Sequence, residues 1–431
     1  MKSGSTLALA LLLVLALPSC LFANGFDLYE QSAKAVGLGG AFTAQADDPS
    51  AVFYNPAGIV QLEGTQASAG VSLIRPAVKF TTDGNPAMGT APGETWRAGD
   101  HVWPIPNAYL THRVNDNVSV GIGMFSPFGL GIEWPGNFEG RFTPGAEKAL
   151  LTTTSISPVI AVKASERFSF GFGPYAQYFG IDLRNSAFVP LPAPPFTANR
   201  NLAQTVDAEL KGNDWGWGLN AGMRVNITEK LIFGASYLSQ VTHNVDGKET
   251  LTSSATGLVV ARQDASSSIT LPAKVRTGLA WKQNPWTVEL GAEWTEWSSY
   301  KTLSVDFADG ASLQSQKNWH NAWMYRLGAQ YSVNKYLDLR AGFYLDESPV
   351  PRSTLDPLVP SGNRTALCLG VGTHFGRFTV DAGYNHIWSQ SVRWNNSSGN
   401  VMVGPFPLTR VTGQFGDVSG DIFAVNVTYR F

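Results

Sequence analysis

Charge is scarce in this chain of 431 residues: Asp, Glu, Lys and Arg make up 15%, against about 25% in an average soluble domain. Lys and Arg do not exceed Asp and Glu, at 31 against 33, so no basic surface argues for nucleic acid. Long apolar runs are missing after residue 22, which excludes a bundle of membrane helices, each needing about 20 apolar residues. Cysteine is nearly absent, with Cys20 and Cys368 alone. The six histidines, at 101, 112, 243, 320, 374 and 386, form no pair at metal-ligand spacing. No phosphate-binding glycine loop occurs, and no residue is marked as a nucleophile. These absences point away from an enzyme and call for no cofactor.

What is plentiful is aromatic residues and glycine: 24 Phe, 13 Trp, 13 Tyr and 44 Gly. Low charge with many aromatics and glycines, but no helix-length apolar run, suits a β-rich protein with an apolar exterior. The first residues differ. Lys2 precedes an apolar stretch from Leu7 to Pro18, and Leu21-Phe22-Ala23 before Asn24 reads as a signal-peptidase site. Leu17-Pro18-Ser19-Cys20 is a rival, lipoprotein-like site, with an unusual proline. Cleavage after Ala23 removes Lys2 and Cys20. It leaves thirty basic against 33 acidic residues, a charge of −3, and Cys368 with no partner for an internal disulfide.

Period-two alternation fills the rest. Val425, Val427, Tyr429 and Phe431 alternate with Asn426, Thr428 and Arg430, and the same pattern recurs at 217–225, 273–282, 323–331 and 337–345. Short polar breaks at 115–117, 164–167, 226–230, 283–286, 332–335 and 376–377 alternate with longer stretches at 83–100, 133–150, 184–205, 248–267, 308–317, 352–363 and 389–418. Six short turns and seven long loops separate fourteen strands. The rhythm predicts an all-β, fourteen-stranded antiparallel transmembrane barrel over 65–431, with short turns and both chain ends on the periplasmic side of a bacterial outer membrane. The aromatic strand that ends at Phe431 resembles the signal read by the barrel assembly machinery.

Residues 24–64 stand outside this pattern. In DDPSAVFYNPAGIVQLEG (47–64), Asp48-Pro49 and Asn55-Pro56 each open a short apolar run, as a helix start does. Such short helices hold shape only by docking. This segment is expected to fold back into the lumen as a helical plug.

NGFDLYEQSAKAVGLGGAFTAQADDPSAVFYNPAGI (24–59), SPFGL (126–130), YLSQVTH (237–243), WTEWS (294–298) and LRAGFYLDESPVP (339–351) together resemble FadL-type outer-membrane transporters over essentially the whole mature chain. The resemblance implies a monomeric barrel closed by an N-terminal hatch. It implies carriage of long-chain fatty acids or other hydrophobic compounds, without a built-in energy source. Ligand would pass from an external groove to an inner pocket and leave sideways at a kinked third strand.

On that reading Phe53, Tyr54, Asn55, Pro56 and Ala57 are candidate gate residues, the Asn-Pro-Ala motif contacting the kink. Phe125, Ser126, Pro127, Phe128 and Gly129 interrupt the third strand, where proline removes a ladder donor; they mark a lateral opening or merely the strand top. Trp134, Phe138, Arg141 and Phe142 form a collecting groove for an amphiphile or pack against neighbouring loops. Lys274, Arg276, Arg326 and Arg340 face inward, towards a ligand carboxylate or the hatch. Inward Gly222, Gly278, Gly328 and Gly342 make room for hatch or ligand. A fatty acid needs a cation at its pocket, whereas an aromatic hydrocarbon needs apolar walls alone. A polar-solute porin or a barrel lipase is a more distant alternative.

Overall fold

The computed structural model describes residues 25–190, 203–360, 362–395, 402–403, 406–407 and 411–431. The predicted signal peptide, 1–23, lies outside the described residues. Among those described, fourteen strands form one closed antiparallel barrel. They are β1 (Thr65–Thr82), β2 (Trp103–Arg113), β3 (Val118–Phe125, resuming at Gly129–Glu133), β4 (Lys148–Lys163) and β5 (Phe168–Pro190). Next come β6 (Ala203–Asn226), β7 (Leu231–Leu238 and Val241–Ser253), β8 (Val259–Leu271 and Lys274–Gln283) and β9 (Trp286–Thr295 and Thr302–Phe307). The last are β10 (Ser312–Gln316 and Ala322–Asn334), β11 (Leu337–Asp346), β12 (Arg364–Phe375), β13 (Phe378–Ser389) and β14 (Thr412–Arg430). β14 closes on β1, paired from Gln66 opposite Arg430 to Thr82 opposite Gly413, with a register shift between Ala77 and Lys79.

The short turns fall where the polar breaks predict them. Three of the expected long loops do not. β5 and β6 pair out to Pro190 and Ala203, β7 and β8 leave 254–258 between them, and 308–311 joins β9 to β10. Polar alternation such as 259–268 reads as loop because neither face is apolar. It is strand because the ladder simply extends beyond the lipid.

Outward faces carry large apolar side chains: Trp217 is 73% exposed, Leu219 61% and Leu369 54%. Trp281, Trp286, Tyr331, Phe375 and Phe378 ring the short-turn end; Trp323, Tyr325 and Trp388 ring the other. This band with two girdles is built for lipid. Among the described residues no helix is long and apolar enough to cross a membrane; strands make the crossing.

The segment before β1 lies in the lumen. It holds α1 (Ala33–Gly37), α2 (Ala51–Tyr54) and a 3₁₀ turn (Pro56–Gln61). The helices are only five and four residues long, and the run opened by Asn55-Pro56 is a 3₁₀ turn. Asp48 binds the Ser50 N–H at 2.8 Å ahead of a four-residue helix, while Asn55 accepts from the Ala57 N–H at 3.1 Å and caps the 3₁₀ turn. The wall meets this segment with glycine. A Cβ at Gly342 would lie 2.3 Å from the Leu38 carbonyl carbon, and one at Gly222 would lie 2.1 Å from Asn55 Oδ1. The inward glycines therefore make room for the segment, backbone at Gly342 and the Asn55 and Pro56 side chains at Gly222.

Candidate functional site

The third-strand interruption falls where Pro127 predicts it, between Phe125 and Gly129. Backbone polar groups exposed by a broken strand need partners inside a membrane, and the N-terminal segment supplies most of them. The Gln31 side-chain amide accepts from the Ser126 N–H at 2.9 Å and donates to the Ser126 carbonyl at 2.7 Å. The Leu28 N–H donates to the Pro127 carbonyl at 3.1 Å, and the Gly129 N–H to the Phe26 carbonyl at 3.0 Å. Thr153 Oγ1 bonds both backbone groups of Phe128.

Lys274 joins the two parts. Its ammonium pairs with Asp27, donates to the Pro127 carbonyl at 2.8 Å and lies 4.0 Å from the centre of the Phe128 ring. Phe128 also packs edge-on against Phe26 and Trp297.

These contacts correct the expected meeting of the Asn-Pro-Ala motif with the kink. Asn55 lies away from the break: its amide donates to the carbonyls of Thr43 and Met223, both at 2.9 Å. Pro56 rests on Gly171, and the Ala57 carbonyl accepts from Ser169 Oγ. The motif anchors the segment to β5 and β6 because the glycines that admit its backbone are there. Phe53 does reach the interruption, 4.9 Å from Phe125, and Tyr54 donates to the Tyr29 carbonyl. The bonds that hold the break come from Phe26, Leu28 and Gln31. A sequence signal existed for Asp27 and Lys274 only as two opposite charges 247 positions apart.

The wall beside the break is incomplete. β2 pairs with β3 from Ala108 opposite Met124 to Arg113 opposite Ser119, and no further up. Yet β2 stays paired to β1 as far as Trp103 opposite Ile74, and the upper part of β3 stays paired to β4. Trp103–Asn107 thus faces Ser126–Glu133 across an unladdered seam. Pro104 and Pro106 lie in it and carry no N–H to repair it. The Pro-Ile-Pro of β2 was the missed signal: two prolines in a strand argue for an edge.

Behind the seam is a cavity of about 300 Å³, lined by Phe26, Ile74, Val78, Ile105, Phe128 and Ile132 among others, with Asp27 and Arg364 at its polar edge. Leu130, Leu151, Leu358 and Phe26 also line an adjoining pocket of about 30 Å³ that holds Lys317 and Asp356. Lys317 is buried and paired with Asp356. A wider depression of about 1020 Å³ spans the outer parts of β4–β9. Its lining mixes Asp182, Glu209, Lys211 and Asp246 with Leu150, Ile181 and Phe307.

The other expected site residues divide. Arg276 pairs with Glu293 at 2.7 Å and donates to the Phe53 carbonyl. Arg326 shares Glu293 at 3.2 Å and donates to the Gly40 carbonyl. Arg340 pairs with Asp381 at 2.6 Å. These cations grip the N-terminal segment and its wall, and the cavity's cation is Arg364, bonded to the Gly25 carbonyl. Trp134 and Phe138 stack at 4.5 Å and are buried with Phe80, Trp96, Trp394 and Phe415; Arg141 lies over Phe142 at 4.6 Å. Neither aromatic is open as a collecting groove would be. They pack under neighbouring loops, because their partners come from stretches up to 281 residues away.

In the N-terminal segment, burial raises the Glu30 carboxyl to about 7, against opposing pulls from its backbone hydrogen bond and from Arg326 and Arg364. Burial likewise raises Asp48 to about 6.

A family model described as outer membrane protein transport protein (OMPP1/FadL/TodX) matches residues 14–431. A putative outer membrane protein of Neisseria meningitidis is 28% identical, covering 95% of each chain. The long-chain fatty acid transport protein of Salmonella typhi is 27% identical, covering 100% of this chain and 98% of its own. Among solved structures, a Pseudomonas aeruginosa FadL homologue superposes with a TM-score of 0.81 at 21% identity, covering 95% of this chain and 100% of its own. The Ralstonia pickettii toluene transporter TbuX does so at 0.68 and 17%, covering 94% and 100%.

Proposed function

Since the chain belongs to the outer membrane protein transport protein (OMPP1/FadL/TodX) family and is an outer-membrane transporter of hydrophobic compounds, we propose that its ligand is a long-chain fatty acid. The observation that carries this reading is a pair of adjoining apolar cavities, each with a buried or half-buried cation at its edge, Lys317 in one and Arg364 in the other. An acyl chain fills the apolar part, and the carboxylate takes a charge-assisted hydrogen bond. The ligand enters at the pocket of Lys317, displaces the Phe26–Leu28 tip and leaves through the β2–β3 seam into the membrane. Nothing in this sequence of steps consumes energy. Binding shifts a population towards the displaced state, by as much as ligand prefers that state.

Residues 25–62 act as the hatch, which an open polar-solute porin could not carry. The protein works as a monomer, and the strand ending at Phe431 is its handle for barrel assembly. An aromatic hydrocarbon is the second reading. It is favoured by the existing Lys317–Asp356 pair, which leaves the pocket neutral overall.

The test is uptake of oleate and toluene by cells lacking their own transporter and expressing the full chain. Oleate uptake that falls about tenfold in Lys317→Ala, by loss of a charge-assisted bond, with toluene unaffected, supports the fatty acid. Toluene uptake without oleate uptake supports the second reading, and uptake of neither sinks both.

A further inference from the structure

We propose that Trp103 is the shutter of the β2–β3 seam and sets the width of the ligand that leaves through it. This inference rests on the sideways exit proposed above.

The unladdered window has two defined ends. Below it the ladder begins at Ala108 opposite Met124. Above it Glu133 accepts from the Gly99 N–H at 2.7 Å and pairs with His101 at 2.8 Å. Between these ends two glycines alternate on β3, and each is covered by a side chain from elsewhere. A Cβ at Gly129 would lie 2.7 Å from Leu28 Cδ1, and a Cβ at Gly131 would lie 2.3 Å from Trp103 Cε2. The indole therefore lies flat on β3 only because residue 131 has no side chain.

Leu28 belongs to the tip that the ligand displaces. Trp103 belongs to the wall and stays when the tip leaves, so it is the last obstacle. Its hold is weak in a specific way. The indole Nε1 is buried with no hydrogen-bond partner, whereas a buried Trp N–H ordinarily finds one. Packing alone, with the His101 ring 5.6 Å away, keeps the indole in place. Pro104 and Pro106 keep the strand beside it from re-pairing with β3. A ring held by packing alone, with no hydrogen bond to break, is suited to swing. What passes is then limited by the space the ring vacates.

The test compares a pyrene-tailed fatty acid with oleate in cells expressing the full chain. Trp103→Ala is expected to raise the pyrene-to-oleate uptake ratio about tenfold, the scale on which pocket size discriminates. Gly131→Ala should raise it too, because the added methyl evicts the ring. The double variant should do no more than either single change, since both act through one contact. Heat-modifiable migration on gels checks that each barrel is folded. A ratio equal to wild type in both folded single variants overturns the assignment of Trp103 while leaving the transport reading intact, as does full additivity in the double variant. Failure of the wild type to take up oleate sinks the transport reading, and this inference with it.

Discussion

The two ends of the N-terminal segment are held in different ways. Residues 33–62 are bonded largely through their backbone. Glu289 accepts from the Ala44 and Gln45 N–H groups, both at 2.9 Å. Asn220 donates to the Val52 carbonyl and Ser236 to the Tyr54 carbonyl, each at 2.7 Å, and Asn426 accepts from the Ala33 N–H at 2.8 Å. Each such bond leaves a buried, unsatisfied group if it breaks, at about 1–3 kcal/mol. Residues 25–31 are held by aromatic rings, the Asp27–Lys274 pair, bonds to the broken strand, and bonds from Arg364, Ser72 and Tyr109 to the Gly25, Glu30 and Gln31 carbonyls, beside a cavity. One part is an anchor and the other a tip. A tip that borders a cavity can exchange its contacts for ligand while the anchor stays.

Deletion should separate them most sharply. Removing 25–62 is expected to give large open-channel conductance in planar bilayers, whereas removing 25–31 leaves the lumen closed and raises only leakage of hydrophobic probes. Equal conductance of the two deletions would mean that no anchor exists. Next in size is Lys274→Met. It strands the buried Asp27 charge, an effect of about 3–5 kcal/mol for a broken buried pair. The expected result is faster hydrogen exchange at 25–31 with little change at 33–62; uniform acceleration would show that the two parts move together.

The smallest effect is pH. A carboxyl whose docked pKa is raised favours docking below its free value and loses that contribution as pH rises through the docked value. For Glu30 those values are 4.5 and about 7, so the tip grips best in acid and loosens across that window. Asp48 acts in the same sense on the anchor. Uptake should rise from pH 5 to pH 8, and Glu30→Gln should flatten part of that rise. A wild-type slope in Glu30→Gln would remove Glu30 from the account.

Much of this was legible because it is local. Period-two alternation between short polar breaks is a property of neighbouring residues, and it places all fourteen strands. Pro127 marks the broken strand for the same reason: a missing donor is felt where it occurs. Inward Lys274, Arg276, Arg326 and Arg340 follow from alternation alone. Glu293 stands opposite Arg276 in the next strand, but Asp27, Gly40 and Asp381 reach these cations only through the tertiary fold. Trp134 and Phe138 look like exposed loop aromatics until Phe80 and Phe415 arrive from the first and last strands. Asn55-Pro56-Ala57 shows its cap in sequence, but its docking place is decided by where Gly171 and Gly222 fall.

By itself, then, the chain determined which residues face lipid, where strands turn, and that the segment before the first strand needs a wall to lean on. Only the tertiary structure decided which charges are already paired, which end of the segment meets the break, and that β2 and β3 part above Ala108. Alternation fixes the side of the sheet a residue occupies, because successive side chains point to opposite faces. What it meets there depends on residues hundreds of positions away, brought close by closure of the sheet.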